Sequence, residues 1–228
     1  INLIVYTTGT PCTGVATVQH MGMTYNTVQI GSQCWLRENI NAGTQISANQ
    51  TQANNGTMEK WCYENDPLNC NVYGALYQWA EMVQYYNGVT NTTHWNPVPT
   101  VPIQGVCPPG WHLPTKTESD ALITFLGGQS VAGGKLKETG TTHWRGPASL
   151  TNPVNVGATN SSGFTALPGG HSYLGNFENI HQYGNIWTIT KGQYATDIWY
   201  FGAAYNYTNT TAGQGYKVTG YYARCLMN

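Results

Sequence analysis

Six cysteines, six histidines and a few clustered carboxylates are the residues of this chain whose types and spacing could do chemistry. Cys12, Cys34, Cys62, Cys70, Cys107 and Cys225 include no Cys-x-x-Cys pair, so they lack the usual metal or redox spacing. An even set of this kind suits disulfides in an oxidising compartment, which favours export. His20, His94, His112, His143, His171 and His181 show neither a His-x-x-x-His nor a His-Glu pairing, and so no zinc signature. His112 and His143 adjoin Trp111 and Trp144 and read as buried, hydrogen-bonded structural groups. Glu64-Asn65-Asp66 is the densest group of hard oxygen ligands and the best calcium candidate. The preferred reading there is a turn in which Asp66 bonds to the backbone. Nucleophile elbows, phosphate loops and dinucleotide fingerprints are missing, since Gly127-Gly128 and Gly133-Gly134 follow a helix rather than join a strand to one. No catalytic residue, metal or cofactor is expected.

Aromatic rings offer a second kind of chemistry, stacking on a pyranose. Trp95 and Trp199, with Tyr85 and Tyr86, lie in loop-like or edge-like stretches and are the candidate sugar platforms, although core packing is the commoner fate of such rings. Trp79, Trp111, Trp144 and Trp187 sit in periodic contexts and are assigned to the core. Asn49, Asn55, Asn91, Asn160, Asn206 and Asn209 open Asn-x-Ser/Thr triplets and are candidate glycan acceptors, Asn160 the weakest of them. Thr90 to Thr93 and Thr208 to Thr211 are alternatives for O-linked sugar.

Composition narrows the function classes. Nine basic and ten acidic side chains make only 8% of 228 residues charged, far from the basic footprint that nucleic acid or an anionic membrane demands. No apolar run approaches the 18 residues of a spanning helix, and no signal peptide is visible, so an exported protein would be in its mature form. In place of charge the chain has 16 Tyr, 8 Trp and 27 Gly with many Asn and Thr, a composition for neutral, adaptable contacts. Near-zero net charge also removes the repulsion that keeps proteins apart, so self-association is expected.

The elements that position these groups centre on Cys107-Pro-Pro-Gly-Trp-His-Leu-Pro-Thr-Lys-Thr-Glu118. Thr115 and Glu118 form a capping box, Ala121, Leu122, Phe125 and Leu126 recur at helical spacing, and Gly127-Gly128 stop the helix. A second helix is predicted over 74–86 from Leu76, Trp79, Ala80 and Val83. One helical turn is predicted at 35–40 and a hairpin about Gly22 within 15–30. Residues 41–57 read as loop, 62–70 as a turn clipped by its own cysteines, and 87–106 as an extended insertion. Strands are predicted at 164–167, 186–190, 197–201 and 217–225. Residues 1–8 alternate as a strand, with Leu3 and Val5 facing one way and Ile4 and Tyr6 the other. Free chain ends order only when tied down, so this strand is expected to pair with its own sheet or with a neighbouring subunit.

Six blocks, in order, resemble the Fibrobacter succinogenes major paralogous domain family. They are Tyr25-Asn-Thr-Val-Gln-Ile-Gly-Ser-Gln-Cys-Trp-Leu-Arg-Glu-Asn39, Tyr73-Gly-Ala-Leu-Tyr-Gln-Trp79, Cys107-Pro-Pro-Gly-Trp-His-Leu-Pro-Thr115, Gly134-Lys-Leu-Lys-Glu-Thr-Gly-Thr-Thr-His-Trp144, Thr159-Asn-Ser-Ser-Gly-Phe-Thr-Ala-Leu-Pro-Gly-Gly170 and Gly184-Asn-Ile-Trp-Thr188. The resemblance implies a secreted or surface domain related in fold to C-type lectins and formylglycine-generating enzymes, and implies little about activity. The Glu-Pro-Asn, Gln-Pro-Asp and Trp-Asn-Asp runs of calcium-dependent lectins are missing, and every cysteine has a structural partner, unlike the active-site pair of the enzymes.

Six cysteines allow fifteen pairings. Sequence proximity and the resemblance together favour Cys12–Cys34, Cys62–Cys70 and Cys107–Cys225. The expected fold is therefore α+β and C-type-lectin-like, two helices on small, loop-rich antiparallel sheets with three disulfides. Residues 1–11 form a strand extension and 12–228 a single domain. The expected function is a non-enzymatic structural subunit, extracellular or at the cell surface, built into a filament or array by its first strand and Tyr-rich faces. The alternative is a carbohydrate- or protein-binding adhesion module.

Overall fold

The computed structural model describes residues 9–100 and 102–228. The strand predicted over 1–8, with Leu3, Ile4, Val5 and Tyr6, lies outside the described residues. The chain opens with strands β1 (Thr17–His20), β2 (Met23–Ile30) and β3 (Gln33–Leu36). Strands β4 (Thr44–Gln45) and β5 (Glu59–Lys60) follow, then helix α1 (Pro67–Tyr73), strand β6 (Leu76–Tyr77) and helix α2 (Trp79–Met82). After strand β7 (Trp111–His112) come the two longest helices, α3 (Lys116–Phe125) and α4 (Gln129–Leu136). The remainder is strand and turn: β8 (His171–Tyr173), β9 (Asn176–Glu178), β10 (Tyr183–Lys191), β11 (Asp197–Ala204), β12 (Thr210–Tyr216), β13 (Tyr221–Tyr222) and β14 (Leu226–Met227).

Two five-stranded sheets carry this α+β fold, in the orders β1-β2-β3-β14-β7 and β12-β11-β10-β13-β6. The last eight residues join them. Tyr222 pairs with Ile186 and Leu76 in the second sheet, and Leu226 pairs with Trp35 and His112 in the first. Cys107–Cys225 fixes this seam, Cys12–Cys34 ties the entering chain to β3, and Cys62–Cys70 closes a short loop. These are the three pairings expected. Trp79, Trp111 and Trp187 pack with the bridges in one buried cluster, while Trp35, Trp144, Phe164 and Phe201 anchor another.

Helix α3 forms as its sequence dictates. The Thr115 hydroxyl accepts from the Glu118 N–H at 3.2 Å, and the Glu118 carboxylate accepts from the Thr115 N–H at 2.7 Å. Its buried face is Ser119, Leu122 and Ile123, continued by Leu126, whereas Phe125 lies outward over Gly31.

Several expected elements differ. Residues 35–40 hold the end of a strand, because Trp35 and Leu36 are drawn into the first sheet by Val28, Thr27 and Leu226. The helix expected over 74–86 shrinks to one turn, α2. Gly74 has φ 85°, Leu76 and Tyr77 join the second sheet, and Gln84 and Tyr85 are left-handed. The clipped turn at 62–70 opens instead into helix α1, with Asp66 accepting from the Leu68 N–H at 2.9 Å as N-cap and Pro67 in the first turn. Residues 164–167 contribute one bridge, Lys137 to Ala166, and of 217–225 only β13, with a bridge at Gly220 before it, is strand. Helix α4 and strand β12 arise in stretches for which neither helix nor strand is predicted.

Candidate functional site

The expected site residues do not converge. Trp95, a candidate sugar platform, takes the commoner fate of core packing and is 6% exposed: its ring stands edge-on to Trp79 at 5.0 Å and its Nε1 donates to the Tyr86 carbonyl at 2.6 Å. That ring anchors the 87–106 insertion and has no free face. Trp199 is half-buried, and Lys116 holds its Nζ 4.9 Å from the ring centroid. Tyr85 is half-buried and Tyr86 exposed. Trp79, Trp111, Trp144 and Trp187 are buried, as assigned.

Histidines and carboxylates hold structure. His112 bridges the Glu118 carboxylate at 2.9 Å and the Asn228 side chain at 2.7 Å. Burial works against the imidazolium, but these two bonds outweigh it and raise His112 above its ordinary value. Burial likewise opposes the Glu118 carboxylate, which His112 and Thr115 hold below its ordinary value. His143 contacts Glu138 at 2.7 Å. In the calcium candidate, Asp66 caps α1 and the Asn65 side chain accepts from the Ala48 N–H at 2.8 Å. Among the described residues no group of three or more His, Cys, Asp or Glu is placed to hold a metal ion.

Of the candidate acceptors, Asn49, Asn55 and Asn209 are exposed, and Asn91, Asn160 and Asn206 half-buried. Asn55 donates its amide nitrogen, the atom a glycan would take, to Glu59 at 2.8 Å. Asn91 accepts from the Ala80 N–H at 3.0 Å, which ties the insertion to α2.

Sequence reasoning missed the most distinctive groups, three fully buried cations. Lys137 donates to the carbonyls of Val156, Ala204 and Tyr207 at 2.8, 2.9 and 2.9 Å, a complete ammonium cage. Burial pushes it down to about 8, while the three oxygens favour the charged form. Lys217 stands 4.0 Å over the Trp79 ring and donates to the Thr90 and Thr93 carbonyls, holding the insertion against the core. Burial, with Lys191 next, lowers it to about 8. Beside it His94 stacks on Trp79 and is held neutral, pushed to about 4 by burial and then by Lys217. Arg224 donates Nε to Asn39 at 3.0 Å and Nη1 to the Phe164 carbonyl at 2.5 Å, over the Phe164 ring, and burial lowers it to about 9. Only Arg224 had a signal, a cation inside the apolar run 221–227.

Arg224 floors the best-formed cavity, about 240 Å³, between β2–β3 and α1. Arg37, Asn41, Asn71, Tyr73 and Thr165 also line it, and Arg37 donates to Thr165 at 3.3 Å. Glu38 and Glu138 line it too, so this mixture of guanidinium, amide and carboxylate groups suits ligand hydroxyls.

A different surface feature is β12, the outer strand of the second sheet. Thr210–Tyr216 pairs with β11 along its whole length, has no charged residue and no proline, and carries glycine at 213 and 215. With the geometry in view, the Fibrobacter succinogenes major domain matches residues 28–226, most of the chain. The chain belongs to this family. Neither a curated protein nor a solved structure matches it. The Fibrobacter succinogenes major domain here spans both sheets, from Val28 in β2 to Leu226 in β14. It leaves β1 and Cys12 outside the matched stretch. Among the described residues no helix is long and apolar enough to cross a membrane.

Proposed function

We propose that this domain is a non-enzymatic structural subunit working outside the cell, which assembles into a filament or surface array through residues 1–8 and its neutral, Tyr-rich faces. One observation carries the reading: three of the nine cations are withdrawn into the interior on carbonyl, amide and ring partners. What remains outside includes Tyr86, Tyr194, Tyr207 and Tyr216 among amides and hydroxyls. Three disulfides and carbonyl-held ammonium groups fasten loops to core, which suits a part that must persist in an oxidising medium. The C-type-lectin-like assignment belongs to the same reading. It is supported by the family resemblance and by the pairing of the early strand β3, neighbour of β2, with the last strand.

Sedimentation velocity across a concentration series tests it. The intact chain is expected to associate, and a chain lacking residues 1–8 to stay monomeric. An intact chain that remains monomeric at high concentration, or association unchanged by the deletion, removes the reading.

The cavity above Arg224 supports the second reading, a glycan-binding adhesion module. A glycan array with hits lost on Arg37→Ala would favour it; an array without hits would dismiss it.

A further inference from the structure

We propose that β12 is the acceptor edge on which residues 1–8 of a second copy pair as an added strand. The inference rests on the assembly reading above and names the surface that it uses.

Edge strands present unpaired N–H and C=O groups, and natural proteins guard them with lysine, proline, bulges or covering segments. Strand β12 lacks these guards over Thr211–Tyr216. Its residues Ala212, Gln214 and Tyr216 are exposed, its register with β11 is unbroken from Thr210 to Tyr216, and it contains neither charge nor proline. Among the described residues, the backbone of 211–215 makes no hydrogen bond beyond the β11 ladder. The other outer strands are shorter: β1 has four residues, and β6 and β7 two each.

The occupant follows from length, charge and position. Ile1-Asn-Leu-Ile-Val-Tyr-Thr-Thr8 is an uncharged, alternating strand sequence of eight residues, against seven in β12. At about 3.3 Å per residue both span roughly 23–26 Å. The chain is tied to the edge of β2 at a turn over residues 9 and 10, where the Gly9 N–H donates to the Gln29 carbonyl at 2.9 Å and Thr10 accepts from the Gln29 N–H at 2.7 Å. Gly9 lies against Ser161–Gly163, which Lys135 of α4 holds through Ser162. Helix α4 itself packs along Thr208–Thr210, so it and these residues stand between Gly9 and the open part of β12. Reaching its own edge would use up part of the segment in crossing that helix. A second copy can offer its edge to all eight residues.

Two variants, each alone unable to propagate, test the pairing when mixed. One lacks residues 1–8 and keeps the edge; the other, Ala212→Lys with Gln214→Lys, keeps the segment and guards the edge. Each is expected to sediment as a monomer, and the equimolar mixture as a one-to-one complex of twice the monomer mass. A mixture that stays monomeric would overturn the pairing between copies. Assembly by the lysine variant alone would overturn the choice of edge while leaving the assembly reading intact, whereas assembly by the truncated chain would overturn that reading itself. Should the lysine pair fail to fold, hydrogen exchange decides: amides of 211–215 are expected to slow about tenfold or more in assembled intact chain relative to the truncated monomer. Equal rates would overturn the inference.

Discussion

Replacing Lys137 by Met keeps the stem and removes the ammonium, which leaves three carbonyl oxygens, the buried one of Ala204 and the part-buried ones of Val156 and Tyr207, without their donor. An abandoned buried acceptor costs about 1–3 kcal/mol, so three amount to roughly 3–9 kcal/mol before relief. Relief comes from no longer desolvating a cation whose burial pushes it down to about 8. The balance is a loss of about 3 kcal/mol, large beside the roughly 5–15 kcal/mol that holds a domain together. Guanidinium unfolding with disulfides intact measures it, the midpoint falling at unchanged slope. The residues released are 156, 204 and 207, so faster hydrogen exchange there is expected before global unfolding. A loss under about 1 kcal/mol would refute the reasoning, since the carbonyls would then be served by water or by relaxation.

Three further expectations concern other fastenings. Gly133→Ala should destabilise by about 1–3 kcal/mol although helix propensity alone favours alanine by about 1, because a Cβ there comes within 2.0 Å of the Asn209 carbonyl oxygen; a stabilised variant on thermal melting would contradict this. The double change Cys107→Ala, Cys225→Ala opens a closed stretch of 118 residues and should cost about 5 kcal/mol on the chain-entropy account; an unchanged unfolding midpoint would show that the β3–β14–β7 seam holds without it. For His112, raised above its ordinary 6.5, the contribution is full below that value and lost as pH rises through the folded value. For Glu118, lowered from 4.5, the contribution is full above that value and lost as pH falls through the folded one. The stability gap between the parent and His112→Gln should therefore be widest between about pH 4.5 and 6.5 and narrower at pH 8.5; a flat gap would mean that the pair is not ionised.

What could be read from residue types was local and chemically marked. Thr115 and Glu118 announced the start of α3 and Gly22 the hairpin, while the pairing of the six cysteines needed the family resemblance beside sequence proximity. Helix α4 escaped because Gly133 and Gly134 read as breakers, whereas the fold needs them bare: Asn209 and Gly157 press their carbonyls where a side chain would stand. Strand β12 escaped for a similar reason. Gly213 makes room for the Tyr200 ring, and Gly215 for Trp187 and Tyr221, so glycine there marks aromatic neighbours and not a turn. Residues 75–83 are buried on every side, which leaves no solvent face to distinguish helix from strand by periodicity. Lys137 and Lys217 carry nothing in their neighbourhood that foretells burial, since their carbonyl partners come from loops and from the end of β11, far away in sequence. Trp95 was a candidate platform because its insertion is rich in proline and threonine; the ring instead takes the commoner fate and packs on Trp79 and His94.

Electron microscopy of the concentrated intact chain bears most directly on the claim that this domain builds. Ordered filaments or sheets are expected, with residues 1–8 of each subunit traced onto its neighbour and none formed by the truncated chain. A field of separate particles of monomer size at every concentration, identical with and without those eight residues, would contradict it.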